Sequence, residues 1–166
     1  TRIIMELRWL LESCHVTVQL GRPVGCQLQS EPARPLWAIL EELPNSMTGE
    51  LELLLKMGHE VYRKLGEHGY FDLEMSSDNL GIELGPRGAR VVLMDFGSLL
   101  NSESVPADMA VDRLRLAREH FERSYQVYRL RKAKAHSAAA SEIVERHIQA
   151  TTELISGWMR LIETHK

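Results

Sequence analysis

Two long segments in the carboxyl-terminal part of the chain carry apolar residues at helical spacing. The first covers residues 106–134 and has a proline in its first turn, where the missing N–H is harmless. The second covers residues 140–164. Their apolar stripes are Leu114, Ala117, Phe121, Tyr125 and Tyr128 in the first, and Ile143, His147, Thr151, Leu154, Trp158 and Leu161 in the second. The sequence therefore predicts two long amphipathic helices, joined at the stretch KAKAHSAAAS.

The earlier part of the chain mixes helical and strand patterns. Residues 50–66 predict a helix, with acidic residues in the first turn and Lys64 in the last. Residues 2–14 carry a similar apolar stripe and also predict a helix, and His15–Leu20 and Val24–Gln29 predict short strands. The stripe of the helix at 50–66 is expected to consist of Leu51, Leu54, Gly58, Val61 and Leu65.

A hairpin is predicted in the middle of the chain. Leu80–Leu84 and Ala89–Phe96 are apolar strands separated by the turn sequence Gly-Pro-Arg-Gly. The second strand has no polar face, so we expect it to be central in its sheet and covered on both sides. The preceding stretch, Tyr70–Asn79, is expected to be an irregular polar loop. The predicted class is α+β, dominated by helix, in a single domain of 166 residues.

Composition restricts the function classes. The formal net charge of −3 gives no strong signal for nucleic-acid binding, and no apolar run has the ~20 residues of a membrane span. The opening residues lack the pattern of a signal peptide. The two cysteines, Cys14 and Cys26, have neither disulfide-framework nor metal-site spacing, so we expect an intracellular, cytoplasmic protein.

Polar side chains flank the predicted hairpin. Asn79 comes directly before its first strand, Asp95 ends its second strand, and Asp72 lies on the chain leading into it. Pairing of the two strands brings Asn79 and Asp95 to one end of the hairpin. Amide and carboxylate oxygens are suitable ligands for magnesium. We therefore consider a magnesium and nucleotide site here, against the alternative that these residues only cap strands and turns.

The stretch HGYFDLEMSSDN followed by VVLMDFGSL resembles the catalytic and metal-binding loops of the protein kinase-like superfamily. The resemblance covers residues 36–100 and implies a large lobe with a short β-hairpin. It implies a catalytic role for Asp72, metal binding by Asn79 and Asp95, cofactor binding by Phe96 and Gly97, and Mg²⁺ and ATP as cofactors. Residues 1–35 would then be a small-lobe remnant and residues 101–166 a helical subdomain.

The sequence also departs from that family pattern. Six residues, not four, separate Asp72 from Asn79, no Gly-x-Gly-x-x-Gly occurs, and no lysine precedes Lys56. Whether the chain is an enzyme is left open. It is predicted to be either an atypical kinase-like phosphotransferase or a pseudokinase-type binding module. The alternative is a helical scaffold with no catalysis, and a protein partner is expected.

For the basic cluster at the end of the first long helix, and for His147, we favour a structural role over a binding role. The basic cluster Arg129, Arg131, Lys132 and Lys134 could bind an acidic partner, but it is expected to be a solvated helix end that suits the helix dipole. His147 is expected to be a satisfied core histidine, because no second metal-binding residue lies one helical turn away.

Overall fold

The computed structural model of the chain describes residues 18–20, 34–75, 80–85, 88–93 and 98–165, with backbone alone at 18–20, 34, 82–85 and 88–93. The elements are β1 (Val18–Leu20), β2 (Arg34–Pro35), α1 (Leu36–Glu42), α2 (Thr48–Glu67), β3 (Tyr70–Asp72), β4 (Leu80–Gly85), β5 (Gly88–Leu93), β6 (Leu99–Asn101), α3 (Ala107–Lys134) and α4 (Ala138–Thr164). Helix dominates these ranges, and the predicted α+β class is confirmed. The predicted helix at 2–14 and the strand at Val24–Gln29 lie outside the described residues.

The three long helices confirm the sequence prediction with small shifts. In α2 the predicted positions Leu51, Gly58, Val61 and Leu65 are buried, but Leu54 is only half-buried, and its neighbour Leu55 is buried in its place. All five predicted apolar positions of α3 are buried. In α4 the stripe holds as far as Trp158, but the side chain of Leu161 is 59% exposed, so its predicted core position is wrong. Ile162, one position further along α4, packs against the core instead.

The turn between α3 and α4 is shorter than predicted. Only Ala135–Ser137 interrupt the helices, and His136 takes a left-handed conformation with φ of 58°. The two helices run antiparallel, since Arg118 near the start of α3 donates to Ser156 near the end of α4 at 2.8 Å. A single left-handed residue is a common way to end a helix and redirect the chain.

The strands form two sheets. In the four-stranded sheet the order is β1-β5-β4-β2, with β1 parallel to β5 and the other pairs antiparallel. The predicted central position of the second hairpin strand is confirmed, because β5 lies between β1 and β4. The two-stranded sheet pairs β3 with β6 in antiparallel register.

The strand β3 corrects the prediction of an irregular loop at Tyr70–Asn79. Its residues pair with a segment about thirty positions later, from Tyr70 opposite Asn101 to Asp72 opposite Leu99. Three residues are too few for a readable alternation, so this non-local pairing leaves no pattern in the sequence. Phe71 is buried, and its ring packs against the indole of Trp158 with 4.9 Å between centroids.

The hydrophobic core lies where α2 packs between the strands and α4. Gly66 in the last turn of α2 allows the closest approach, because a Cβ at this position would overlap the indole of Trp158. At the other end, the Tyr128 hydroxyl of α3 donates to the Leu40 carbonyl of α1 at 2.9 Å. None of the described helices combines the length and apolar character needed to cross a bilayer.

Candidate functional site

The hairpin of β4 and β5 has the register that the sequence predicts. Leu80 is opposite Leu93, and Gly85 is opposite Gly88 at the turn. The chain therefore enters β4 and leaves β5 at the same end of the hairpin. Asn79 and Asp95 are one and two residues beyond these paired positions in sequence, but they lie outside the described residues, as do Phe96 and Gly97. Their expected metal and cofactor roles stay predictions.

Asp72 is the one predicted site residue within the described ranges, and it is 1% exposed at the end of β3. Its Oδ1 accepts hydrogen bonds from the Glu74 backbone N–H at 3.0 Å and from the Ser98 hydroxyl at 2.7 Å. The Leu73 N–H also donates to the Ser98 carbonyl at 3.0 Å. Asp72 is thus hydrogen-bonded to Ser98, the residue that directly follows Gly97 in the sequence.

The surroundings of Asp72 include a buried phenol from α2. Burial, followed by the negative charge of Asp72 and the nearby Tyr125, raises the pKa of the Tyr62 hydroxyl well above its ordinary value. This hydroxyl has no hydrogen-bond partner among the described residues. Together the carboxylate and the phenol form a polar centre inside the domain, which we call the Asp72 centre.

In this arrangement the Asp72 carboxylate faces donors of the protein and not solvent. A general base must come within hydrogen-bonding distance of the proton that it removes. A carboxylate that accepts hydrogen bonds from a backbone amide and a hydroxyl instead orders the backbone around it. What the geometry provides is a fixed connection between the end of β3 and the start of β6.

A second polar centre lies in a pocket of about 320 Å³ between α2 and α4. His59 of α2 and His147 of α4 both line it, with their ring centroids 6.5 Å apart. The Nδ1 atom of His59 is within hydrogen-bonding distance of the fully buried Thr151 Oγ1, at 3.1 Å. Apolar side chains complete the wall, and the remaining lining side chains are charged: Glu52, Lys56 and Arg146.

Burial lowers the pKa of both imidazoles of this pocket, which we call the histidine centre. Burial lowers the pKa of His147 to about 3, with a smaller contribution from His59. The ring is also edge-on to Tyr125 and Phe121, at 5.0 and 5.6 Å between centroids. Burial likewise lowers the pKa of His59, against the opposing charge of Glu60.

The sequence did not reveal the histidine centre. The prediction that His147 lies in the apolar stripe was sound, but its partner is on another helix, 88 positions away in the chain. His59 directly follows Gly58 of the α2 stripe, and this position is the only sequence signal that it faces the core. Among the described residues no group of three or more His, Cys, Asp or Glu side chains is arranged to hold a metal ion.

The basic end of α3 is solvated as expected at Arg131 and Lys134, but not at Lys132. Lys132 is 9% exposed and donates to Asn45 Oδ1 at 3.1 Å, with its ammonium 5.4 Å from the centre of the Tyr128 ring. Arg131 pairs with Glu41 of α1, and Arg129 pairs with Glu145 of α4. These contacts hold α3 against α1 and α4.

Comparison with known proteins adds no relative to this description: no family model, no curated protein and no solved structure matches the chain.

Proposed function

We propose that the chain is a kinase-like module of the pseudokinase type, which binds a magnesium nucleotide where β3, β4, β5 and β6 end. The observation that carries this proposal is the pattern of strand pairing. One pair sets Leu80 beside Leu93, and the other sets Asp72 beside Leu99. Asp72 thus ends one paired strand, and Asn79 and Asp95 are within two residues, in sequence, of the paired ends of β4 and β5.

The chemistry of phosphoryl transfer supports the assignment of roles. Such sites depend on positioning and on metal ions that neutralise the phosphate charge, with little covalent chemistry by the protein. Asn79 and Asp95 would hold the magnesium ion through their side-chain oxygens. Phe96 and Gly97 would complete the segment that leads from the metal to β6. Magnesium, when bound, would draw the nucleotide phosphates to this end of the hairpin.

Asp72 is proposed as a positioning residue within this site. Its hydrogen bond from Ser98 fixes the residue that directly follows Gly97 in the sequence, and through this residue it would help to position Asp95. Because Oδ1 of this buried carboxylate already accepts two hydrogen bonds, the site would have to rearrange before Oδ1 could accept a proton from a substrate hydroxyl. We therefore expect nucleotide binding with little or no transfer.

Thermal melting with and without magnesium and ATP tests the binding. At about 100 times Kd a ligand adds about 2.7 kcal/mol to the free energy of unfolding, which raises Tm by roughly 5–10 °C in a chain of this size. The Asp95→Asn variant should lose this shift. The matched control, Asp112→Asn, removes an exposed carboxylate on α3 and should keep it. No shift in the unmodified chain at millimolar nucleotide would overturn the proposal.

A phosphotransfer assay tests the pseudokinase part separately. We expect no sustained consumption of ATP by the unmodified chain beyond that of the Asp95→Asn variant. Turnover that both Asp72→Asn and Asp95→Asn abolish, while Asp112→Asn preserves it, would instead make Asp72 a catalytic residue and the chain an active kinase.

The second candidate function is a helical interaction protein without catalysis, and the outer surface of α3 favours it. Four large apolar side chains of this helix are exposed: Met109, Leu116, Val127 and Leu130. In that case Asp95→Asn would leave partner binding unchanged.

A further inference from the structure

Helix α3 has a second regular face, opposite the one that it buries. The four exposed apolar side chains share this face with three exposed cations, Arg113, Arg123 and Lys134. Together with the exposed His120 they follow one another at alternating steps of four and three residues, from Met109 to Lys134. Steps of this kind keep side chains on a single line along a helix. We call this line the outer seam.

The apolar members of the outer seam are substantially exposed to solvent. Their exposed fractions are 44% for Met109, 65% for Leu116, 51% for Val127 and 48% for Leu130. Single exposed apolar residues are normal on a protein surface, but here four lie on one line over about seven helical turns, as an apolar strip interrupted by Arg113, His120 and Arg123. In contrast, α4 has one such residue, Leu161. The strip therefore belongs to α3 alone.

The cations of the outer seam form no ion pair with a carboxylate among the described residues, although Arg123 Nε donates to the Glu119 carbonyl at 3.4 Å. Within the described part of the chain, Arg113, Arg123 and Lys134 have no carboxylate at ion-pairing distance. Arginines beside the seam do have one: Arg115 pairs with Asp112, Arg129 with Glu145 and Arg131 with Glu41. Unpaired positive charge is thus concentrated on the same line as the exposed apolar groups.

We propose that the outer seam binds an acidic amphipathic helix of another protein. Apolar side chains of such a helix would cover the strip, as in helix-in-groove recognition, and its carboxylates would pair with Arg113, Arg123 and Lys134. Burial of the strip supplies the apolar contribution, and the opposite charges supply orientation and specificity. Docking at α3 does not require nucleotide binding, so either proposal stands if the other fails.

Charge disfavours a second copy of the chain as the occupant. A second copy of the chain would bring the same cations face to face, and like charges in an interface cost binding free energy. An anionic membrane would be attracted by the same cations, so binding to vesicles and to peptides must be compared.

A synthetic helix tests the seam directly. The probe is a labelled peptide of about four heptads with leucine at a and d and glutamate at e and g, and its twin has lysine in place of every glutamate. Fluorescence anisotropy should show that the acidic peptide binds at least tenfold more tightly than the basic twin. The double variant Arg113→Glu/Arg123→Glu should invert that preference, and Leu116→Glu should abolish binding of both.

Matched controls come from α4. Leu161→Glu introduces a charge at an equally exposed leucine, and Arg160→Glu reverses an exposed arginine, both away from the seam. Neither should change the affinity for the acidic peptide by more than about twofold. Circular dichroism and melting of each variant show whether it is folded before its binding is compared.

Several results would overturn the proposal. These are no binding of the acidic peptide, equal binding of both peptides, or equal loss in the α4 controls. Sedimentation that shows a dimer dissolved by Leu116→Glu would assign the seam to a second copy. Binding to vesicles containing phosphatidylserine, lost in Arg113→Glu/Arg123→Glu and without any preference for the acidic peptide, would assign it to a membrane.

Discussion

The Asp72 centre and the histidine centre accommodate a buried ionisable side chain in two different ways. Both place an ionisable group in the interior, where an isolated charge is costly. Asp72 is surrounded by donors, from the Glu74 amide and the Ser98 hydroxyl. His147 is surrounded by aromatic rings and stays neutral, with its pKa lowered to about 3.

The comparison shows that burial alone does not decide the state of a polar group. The number and kind of polar partners decide it. Where the backbone supplies donors, a carboxylate can be used to fasten two strands together. Where the neighbours are aromatic rings and a second imidazole, as at His147, protonation of the buried imidazole is unfavourable. Removal of the Asp72 side chain should therefore lower the free energy of unfolding, and acid should lower it through the histidine centre.

The largest effect is expected from Asp72→Ala. The substitution leaves the Glu74 N–H and the Ser98 hydroxyl without their buried acceptor, so the free energy of unfolding should fall by about 3 kcal/mol. Urea denaturation measures this change. Asp112→Ala, at an exposed carboxylate on α3, is the control and should stay within about 0.5 kcal/mol. A loss below about 1 kcal/mol for Asp72→Ala would show that the hydrogen bonds to Asp72 do not stabilise the fold as proposed.

Acid should be the next largest effect, acting through the histidine centre. Because the pKa of His147 is lower in the folded chain than its ordinary 6.5, the unfolded chain binds more protons between these values. Its stabilising contribution is therefore complete above pH 6.5 and declines as the pH falls toward 3. Between pH 7.5 and 5 we expect a loss of about 2 kcal/mol, measured by denaturation at each pH.

Two variants separate this loss from the titration of other groups. His147→Leu should show a much shallower decline between pH 7.5 and 5. His120→Gln removes an exposed histidine from α3 and should decline like the unmodified chain. Parallel profiles for His147→Leu and the unmodified chain would mean that His147 is protonated in the folded state.

A smaller effect is expected from Thr151→Val, which tests the polar contact inside the histidine centre. The substitution keeps the shape of the side chain but removes the Oγ1 that lies 3.1 Å from His59 Nδ1. The free energy of unfolding should fall by about 1 kcal/mol. Thr152→Val, one position along on α4 and partly exposed, gives the reference for the same chemical change. An unchanged stability in Thr151→Val would show that water satisfies His59 equally well.

The smallest effect is expected from Tyr62→Phe at the Asp72 centre. The Tyr62 hydroxyl is buried without a partner among the described residues, so its removal should leave stability unchanged or raise it by up to about 1 kcal/mol. Tyr128→Phe is the contrasting control, because its hydroxyl donates to the Leu40 carbonyl and its loss should cost about 1 kcal/mol. A clear loss in Tyr62→Phe would indicate that the phenol donates to a group of the folded protein, with Asp72 the nearest candidate.

The sequence predicted the parts of this fold that repeat a local pattern. Helices α2, α3 and α4 follow from stripes of 3.6-residue period, and the β4–β5 hairpin follows from two apolar runs around a glycine turn. The strand β3 was missed because its partner β6 is distant in the sequence and three residues show no period. Leu161 was misplaced because the core-facing line of α4 runs one residue further along, through Ile155 and Ile162.

The candidate sites show the same limit. Asp72 was found from motif order, yet its burial and its bond from Ser98 depend on the β3–β6 pairing. His59 and His147 each lie on a predictable helix face, but their meeting depends on how α2 packs against α4. Periodicity places a side chain on a face and says nothing about what lies across from it.

The pairing of β1 with β5 has a consequence for how the molecule is made. It joins positions about seventy residues apart, such as Val18 and Val91, whereas α3 and α4 are linked by three residues. On the ribosome the four-stranded sheet cannot form until β5 has emerged. The apolar side of α2 stays uncovered until α4, which follows β5 in the chain, has also emerged. The nascent chain should therefore expose apolar surface until α4 has emerged, and truncation within α4 should yield aggregates.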